Sequence, residues 1–374
     1  MANAGQERAP GGALPLRAEL RGLEAYGAPQ LPVPVVLNVN ENPYPPSDGV
    51  VSEIAAAVTE AARGLNRYPD MEFRALRADL VAYLRRESGV ALDVEQLWAA
   101  NGSNEVMLHV LQAFGGPGRT AVSFAPTYSM YPEYARDTAT GWVVGRRAAD
   151  FTVEPDHAAE LIAEHRPSVV LLASPNNPTG TALPADTVRA VLAAADEVPG
   201  GCVVVVDEAY AEFRRSGVPS ALELLAGFPN LAVTRTMSKA FGMAGARIGY
   251  LAAAPELVTA LRLVRLPYHL SAVTQAVARA ALSHATELMA QVDGLRAERD
   301  ATVAWLRERG WTVADSDANF VLFGVFEDRH DIWQGLLERG VLIREVGPDG
   351  WLRVSIGTPA EMTAFQDALV EVTA

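Results

Sequence analysis

The chain has 374 residues, of which 49% are hydrophobic and 20% are charged, and its formal net charge is −14. This composition is typical of a globular protein with a large core, and the negative charge disfavours a nucleic acid as the main partner. No apolar run approaches the roughly 20 residues of a membrane helix, and the histidine spacing and single cysteine, Cys202, disfavour a zinc site.

The N-terminal part is predicted to hold few regular elements. Residues 1–13 are small and polar and are expected to be frayed, whereas residues 14–36 carry scattered prolines typical of an arm or a short helix followed by an extended piece. A loop is predicted over residues 36–46. Hydrophobic periodicity then predicts helices over residues 53–63 and 73–86.

Short apolar runs alternate with helix-like segments in the middle of the chain. Helices are predicted over residues 105–114 and 185–197. The predicted strands cover residues 121–125, 169–173, 203–206, 231–233 and 248–253. This alternation predicts an α/β fold with a mainly parallel sheet and helices on both faces.

Near residue 262 the pattern changes to that of a smaller α+β unit. Helices are predicted over residues 272–281, 285–309, 331–339 and 359–372, and strands over residues 319–323, 341–344 and 351–356. We therefore predict three parts. They are an N-terminal arm over residues 1–40 that packs with the small domain or a partner subunit, a large domain over residues 41–262, and a small C-terminal domain over residues 263–374.

Thirty of the 31 basic residues are arginine, and the single lysine is Lys239. Arginine can replace lysine in most surface roles, but its guanidinium stays protonated and is not a nucleophile. A desolvated lysine can lose its proton and form a Schiff base with a carbonyl. From composition alone, chance and a chemical need for one amine explain Lys239 equally well.

Polar side chains follow three successive predicted strands. Residues 174–180 include Asn177, the next strand is followed by Asp207 and Tyr210, and the third strand leads to Lys239. Because ligands bind at the carboxyl ends of parallel strands, these groups are expected to share one cleft. A turn, a helix cap or a core tyrosine would explain each residue singly. Their joint occurrence favours a functional site.

These segments resemble the fold-type I aminotransferases that depend on pyridoxal phosphate (PLP), in the class II subgroup, and within them the histidinol-phosphate aminotransferases. The resemblance runs from about Leu16 to the C-terminus. Residues 40–44, 67–70, 100–105, 126–131, 174–180, 206–210, 235–242, 266–271 and 352–355 carry it. It implies a large domain with a mainly parallel seven-stranded sheet flanked by helices, which binds PLP, and a smaller α+β domain.

The resemblance implies a role for each residue of the cleft. Lys239 carries the cofactor and moves the proton, Asp207 pairs with the pyridinium nitrogen, Asn177 and Tyr210 contact the phenolic oxygen, and Tyr128 stacks on the ring. The implied catalytic residues are Lys239, Asp207 and Tyr210. The implied phosphate ligands are Gly102, Ser103 and Asn104 at a helix start, Thr236, Ser238, Arg247, and Tyr68 from the neighbouring subunit.

Arginines are the implied binding groups for the substrate anions. Arg353, and as a second candidate Arg344, would bind both the carboxylate of glutamate and the phosphate of histidinol phosphate, because a guanidinium binds either anion in a bidentate manner. Asn42, Tyr44 and Tyr268 are expected to line the substrate pocket. No metal is expected.

The implied activity is transfer of the amino group of L-histidinol phosphate to 2-oxoglutarate, giving imidazole-acetol phosphate and L-glutamate in histidine biosynthesis. A homodimer with shared active sites is expected, and the single cysteine fits a cytoplasmic location. An aromatic amino-acid aminotransferase would share nearly every residue named, and a PLP-dependent phospho-amino-acid decarboxylase is a further alternative. A PLP-sensing regulator would need a DNA-binding module, for which the segment before Asn40 is expected to leave no room.

Overall fold

Strands and α-helices alternate along most of the protein in a computed structural model that describes residues 15–25 and 27–374. The strands are β1 (Val35–Val36), β2 (Leu97–Ala100), β3 (Thr120–Ala125), β4 (Gly141–Arg146), β5 (Val169–Ala173), β6 (Val203–Asp207), β7 (Leu231–Thr236), β8 (Gly249–Ala253), β9 (Thr312–Val313), β10 (Phe320–Gly324), β11 (Val341–Leu342) and β12 (Leu352–Ser355). The α-helices are α1 (Asp48–Ala62), α2 (Arg74–Ser88), α3 (Ser103–Phe114), α4 (Tyr131–Asp137), α5 (Pro155–His165), α6 (Ala185–Asp196), α7 (Pro255–Val264), α8 (Ala272–Ser283), α9 (Ala285–Glu308), α10 (Arg329–Glu338) and α11 (Pro359–Thr373).

Seven strands form the main sheet, in the order β2-β8-β7-β6-β5-β3-β4. Six of them run in one direction, and β8 runs antiparallel to both of its neighbours, β2 and β7. The strands β5 and β7 are buried along their whole length, as expected of a sheet covered by helices on both faces. The predicted α/β fold with a mainly parallel seven-stranded sheet is confirmed.

Local sequence signals set the starts of several helices. The Ser47 and Ser271 hydroxyls accept hydrogen bonds from the first turns of α1 and α8, and Thr358 with Glu361 forms a capping box at the start of α11. Such caps satisfy backbone N–H groups that have no partner inside the helix. The predicted starts of α8 and α11, at residues 272 and 359, agree with the observed ones, whereas the Ser47 cap sets the start of α1 five residues before the predicted residue 53.

A second, smaller core lies in the C-terminal part. It contains the antiparallel sheet β12-β10-β9 together with the helices α9, α10 and α11, and Phe320, Phe323 and Phe365 are fully buried in it. The strand β1 pairs in parallel with β11. The chain then continues beside β12, where the Ser355 N–H donates to the Leu37 carbonyl oxygen over 2.9 Å. Residues 35–37 are thereby joined to the smaller core.

The chain divides into two compact units, residues 1–30 and residues 31–374. Within the described part of the first unit, Ala18–Leu20 forms one turn of 3-10 helix, and Arg17 and Glu19 form an ion pair of 3.4 Å. This turn lies in the stretch for which an arm or a short helix is predicted. The fraying predicted for residues 1–13 lies outside the described residues.

Several details of the sequence-based prediction differ from the structure. The strand predicted over residues 341–344 ends at Leu342, and Arg344 forms an isolated backbone bridge with Arg353 instead. The edge strand β4 was not predicted, because its apolar run, residues 142–144, is short, lies between two glycines and is not buried. The first core extends through α8 to Leu288, and the domain boundary at residues 262/263 stays a prediction.

Two further features concern helix length and the single cysteine. Among the described residues, no helix has both the length and the apolar character that crossing a membrane requires. Cys202 is buried, and burial raises the pKa of its thiol to about 12. A thiol that stays protonated is a weak nucleophile, so Cys202 is a structural residue.

Candidate active site

The carboxyl ends of β5, β6 and β7 lie side by side and carry the predicted polar residues. Backbone pairing sets Ala173 opposite Asp207 and Asp207 opposite Thr234, so the three strands end at one edge of the sheet. The segment after β5 contains Asn177, whose peptide bond to Pro178 is cis. The turn after β7 contains Lys239. These groups therefore lie at or next to one edge of the main sheet.

Asp207 is a buried carboxylate that accepts three hydrogen bonds. Its Oδ1 accepts from the Thr234 hydroxyl over 3.1 Å and from the Ala209 N–H over 3.2 Å, and its Oδ2 accepts from the Tyr131 hydroxyl over 3.0 Å. Burial nevertheless raises the pKa of Asp207 to about 6, with the hydrogen bonds acting in the opposite direction. A cation placed against this carboxylate would stabilise its ionised form.

Lys239 is a partly buried amine with a lowered pKa. Its Nζ donates to the Val39 carbonyl oxygen over 2.9 Å and lies 6.0 Å from the centroid of the Tyr210 ring. Burial, followed by the positive charges of Arg353 and Arg247, lowers its pKa to about 8. A larger share of this amine is therefore neutral near pH 7 than for an exposed lysine, as nucleophilic attack on a carbonyl requires.

The start of α3 forms a cradle with the turn that precedes β8. Gly102 has a φ of 87°, and a Cβ atom there would lie 2.6 Å from the Arg247 guanidinium. A Cβ atom on Gly249 would lie 2.1 Å from the backbone nitrogen of Ser103. Only glycine permits both approaches. They bring the N–H groups of the first turn of α3 close to a fixed positive charge, which is the arrangement that binds phosphate dianions.

Other predicted phosphate ligands lie around Arg247. Its Nη1 donates to the Ser238 hydroxyl over 3.4 Å and to the Ala244 carbonyl oxygen over 3.1 Å. The Thr236 hydroxyl accepts from the Ser238 N–H and donates to the Ile248 carbonyl oxygen, each over 3.1 Å. Ser238 and Arg247 therefore lie together, and the hydroxyl of Thr236 holds the turn that carries Ser238.

Two predicted tyrosines flank this region. The Tyr128 hydroxyl donates to Asn104 Oδ1 over 3.4 Å, and its ring meets that of Tyr131 edge-on at a centroid distance of 5.6 Å. The Tyr210 hydroxyl accepts from Asn40 Nδ2 over 3.0 Å. The first tyrosine is thus tied to the phosphate cradle, and the second lies next to Lys239.

Arg353 connects the smaller sheet with the strand ends of the main sheet. Its guanidinium donates to Asn177 Oδ1 and, over 2.8 Å, to the Asn38 carbonyl oxygen. It also lies over the Phe320 ring, 5.1 Å from the centroid. Arg344 exchanges two backbone hydrogen bonds of 2.9 Å with Arg353. Both predicted anion-binding arginines therefore come together.

The remaining predicted site residues, three for the substrate and one for the cofactor phosphate, fall into two groups. Asn42 Nδ2 donates to the Ala240 carbonyl oxygen over 3.2 Å, and Asn42 Oδ1 accepts from the Tyr44 N–H over 3.0 Å, so both lie beside the turn of Lys239. Tyr68 and Tyr268 instead stack on each other at 4.2 Å. The Tyr68 side chain is 78% exposed, although aromatic side chains are usually more buried.

A buried ion cluster lies behind these strand ends and was not predicted. Arg235 Nε donates to Glu208 over 2.9 Å, and its Nη1 donates to Glu87 over 2.8 Å and to Glu212 over 3.5 Å. Arg214 also pairs with Glu87 and Glu208. Since Glu208 follows Asp207 and Arg235 precedes Thr236, the cluster holds the ends of β6 and β7 together.

Other residues that touch the site were missed as well. Tyr131 and Thr234 bind Asp207, and Val39 and Asn40 contact Lys239 and Tyr210. Tyr131 lies in the same short motif as Tyr128, and Asn40 opens the motif of residues 40–44, so membership of a motif was the available signal. Val39 contributes a backbone oxygen, for which no sequence signal exists.

The donor set of this site fits PLP. A carboxylate suits a pyridinium nitrogen, a lysine of lowered pKa suits an aldehyde, and the cradle of Gly102, Ser103 and Arg247 suits a phosphate. Among the described residues, no group of three or more histidine, cysteine, aspartate or glutamate side chains is arranged to hold a metal ion.

Comparison with known proteins gives three kinds of likeness. The family model described as aminotransferase class I and II matches residues 32–369. The histidinol-phosphate aminotransferase 3 of Burkholderia lata and the histidinol-phosphate aminotransferase of Thermobifida fusca are each 63% identical to the chain, with 96% of both partners covered in each alignment. The crystal structure of histidinol-phosphate aminotransferase from Sinorhizobium meliloti in complex with pyridoxal-5'-phosphate is similar at a TM-score of 0.78 and 25% identity, over 91% of this chain and 90% of that chain.

Proposed function

The chain belongs to the class I and II aminotransferases, and on that premise we propose that it transfers the amino group of L-histidinol phosphate to 2-oxoglutarate with the help of PLP. The products would be imidazole-acetol phosphate and L-glutamate. Relatives that are 63% identical over 96% of the chain carry the name histidinol-phosphate aminotransferase, which supports this substrate over aromatic amino acids.

One observation supports the proposal most strongly. One edge of the main sheet carries the single lysine of the chain, the buried carboxylate of Asp207 and the phosphate cradle, whose close approaches require Gly102 and Gly249. When bound, PLP supplies an electron sink that stabilises negative charge on the substrate carbon next to nitrogen. The residues of the chain have to hold this group, tune its charge and move one proton.

The side chains divide this work by their chemistry. The ionised Asp207 would hold a proton on the pyridinium nitrogen, which increases electron withdrawal. The first turn of α3 and Arg247 would bind the phosphate and fix the position of the ring. The amine of Lys239, with its pKa lowered to about 8, would take the proton from the substrate carbon next to nitrogen. It would hold this proton and return it to the reacting molecule at a second position.

The substrate would be held by arginine. The guanidinium of Arg353 is fixed by Asn177 and by the Asn38 carbonyl oxygen, so it would meet an anion with little loss of side-chain entropy. Two different anions have to use the site in turn, the carboxylate of glutamate and the phosphate of histidinol phosphate, and a planar guanidinium binds both. Arg344, Asn42 and Tyr44 would line the same pocket.

We further propose that the protein acts as a cytoplasmic homodimer whose active sites are shared. The Tyr68 ring supports this arrangement, because it is largely exposed and stacks on another surface ring, that of Tyr268. In a dimer it would reach the phosphate of the neighbouring subunit. The single, buried cysteine fits a reducing compartment.

Borohydride reduction of the PLP-loaded protein followed by peptide mapping tests the cofactor assignment. We expect a pyridoxyl group on Lys239, and its absence there would show that the mechanism is wrong. A substrate panel with coupled detection of glutamate tests the specificity. A clear preference for phenylalanine over histidinol phosphate would favour an aromatic amino-acid aminotransferase. Release of carbon dioxide without amino transfer would favour a decarboxylase.

A further inference from the structure

Residues 38–42, here called the strap segment, contact the catalytic groups from the side of the smaller core. The Asn38 carbonyl oxygen accepts from Arg353 over 2.8 Å, and the Val39 carbonyl oxygen accepts from Lys239 over 2.9 Å. Asn40 Nδ2 donates to the Tyr210 hydroxyl over 3.0 Å. Two of these contacts come from backbone atoms, whereas the third comes from a side chain that no step above uses.

Asn40 is held in one orientation. It is 1% exposed and has a φ of 56°, a left-handed conformation that asparagine tolerates better than most residues. Its N–H donates to the Ser355 hydroxyl over 2.8 Å, and that hydroxyl donates back to Asn40 Oδ1 over 2.9 Å. Because Ser355 occupies the amide oxygen, the amide nitrogen faces Tyr210.

This orientation determines what the Tyr210 hydroxyl can do. A hydroxyl oxygen that accepts a hydrogen bond from Asn40 directs its own proton away from Asn40. It also becomes a stronger donor, because hydrogen bonds in a chain polarise one another where the dielectric constant is low. The relay Ser355 to Asn40 to Tyr210 therefore makes the phenol a donor toward the ligand side of the site.

We propose that Asn40, oriented by Ser355, is a positioning residue that makes the Tyr210 hydroxyl a hydrogen-bond donor to the phenolic oxygen of PLP. The proposal rests on the proposed function, since it takes PLP as the ligand. It gives a chemical role to the first residue of the motif at residues 40–44. It also links the strand β12 of the smaller sheet to the electronic state of the cofactor.

The visible absorbance of the bound cofactor provides a readout other than activity. The band changes with pH as the proton shared between the cofactor's nitrogen and its phenolic oxygen is lost. A donor on the phenolic oxygen makes that oxygen less basic. It therefore lowers the midpoint, which is the pH at which half of the absorbance change has occurred. Tyr210→Phe removes the donor and is expected to raise the midpoint by about one pH unit, the size of one hydrogen bond to a charged group. Asn40→Gly, which keeps the left-handed backbone, is expected to raise it in the same direction by a smaller amount.

A double-mutant cycle separates positioning from a general structural role. In the Tyr210→Phe background, Asn40→Gly should leave the midpoint unchanged to within about 0.3 pH unit, the precision to which independent effects add. Ser355→Ala keeps the Asn40 side chain and the bond from the Ser355 N–H to the Leu37 carbonyl oxygen, but it removes both hydroxyl contacts with Asn40. It should raise the midpoint in the parent chain but not in the Tyr210→Phe variant. An equal shift by Asn40→Gly in both backgrounds would overturn the proposal. So would an unchanged midpoint in both Asn40→Gly and Ser355→Ala.

Asn230→Ala is the matched control. Its Nδ2 donates to the Cys202 carbonyl oxygen over 3.1 Å at the opposite end of β7, so its loss removes one asparagine hydrogen bond far from the site. We expect no shift of the midpoint.

A parent chain that shows the absorbance band but no transamination would refute the proposed reaction alone, because the cycle could still be measured. A parent chain without the band would refute both proposals.

Discussion

Lys239 differs from an exposed lysine in its surroundings and in being the only side-chain amine of the protein. Lys239→Arg keeps a positive charge next to Val39 and Tyr210, so the fold should be retained. The guanidinium cannot bond to an aldehyde or carry the proton. We expect transaminase activity to fall by at least roughly a thousandfold, with an unchanged circular dichroism spectrum. Substantial activity in this variant would show that the reaction does not need the amine of Lys239.

The lowered pKa of Lys239 predicts a particular pH dependence. Only the neutral amine attacks an aldehyde, and burial lowers the pKa of this group to about 8. The rate at which the cofactor-free protein captures PLP should therefore rise with pH around a midpoint near 8. Stopped-flow absorbance measures this rate. A midpoint near 10, the ordinary value of an exposed lysine, would contradict the environment described for Lys239.

Burial of Asp207 predicts a cost to the cofactor-free protein at neutral pH. Its pKa is raised to about 6 in the folded state, whereas the unfolded value is about 3.9. The folded state thus holds this proton more tightly, and the resulting stability is complete below about pH 4 and is lost as the pH rises through 6. Relative to Asp207→Asn, the cofactor-free parent should lose about 1 kcal/mol of unfolding free energy between pH 5 and pH 8. Urea denaturation of both proteins at the two pH values tests this, and parallel pH dependences would refute it.

At the scale of elements, the contact between β8 and the start of α3 determines the shape of the phosphate cradle. Gly249→Ala would place a methyl group 2.1 Å from the Ser103 nitrogen and 2.2 Å from the Gly102 carbonyl carbon. The strand and the helix would have to separate, at a cost of about 1–3 kcal/mol. We expect PLP affinity to fall by about tenfold or more, as measured by fluorescence titration.

Gly245→Ala is the control for this change, since no atom lies within 4 Å of the added methyl group. We expect its stability to stay within about 0.5 kcal/mol of the parent value. If both alanine variants lowered PLP affinity equally, flexibility of the loop rather than the close approach of β8 to α3 would be the cause.

The elements that carry the site were predictable, because apolar runs end abruptly in polar residues at β5, β6 and β7. The groups that support the site were harder to predict. Arg235 follows an apolar run, but its partner Glu87 is 148 residues away in the sequence. The contact of Val39 with Lys239 uses a carbonyl oxygen, which every residue has. Periodicity and turn signals report local structure, whereas these contacts depend on how distant elements pack.

At the scale of the whole molecule, shared active sites predict complementation between two inactive variants. Lys239→Arg and Tyr68→Ala each damage every site of their own homodimer. In a mixed dimer, one site combines the intact Lys239 of one subunit with the intact Tyr68 of the other. An equal mixture, unfolded and refolded together, should recover about a quarter of the parent activity, since about half of the dimers are mixed and each has one intact site. Activity no greater than the mean of the two separate variants would contradict shared sites.

The position of Lys239 also makes unfolding of the protein directly measurable. A protease that cuts only after lysine has a single possible cleavage bond, and it would produce the fragments 1–239 and 240–374. That bond joins Lys239 to Ala240, and both Ala240 and the preceding Ser238 are buried, so cleavage requires the turn after β7 to open. The rate at which the intact chain disappears on a gel would then report the opening of the catalytic turn, and saturation of the protein with PLP should slow it by mass action.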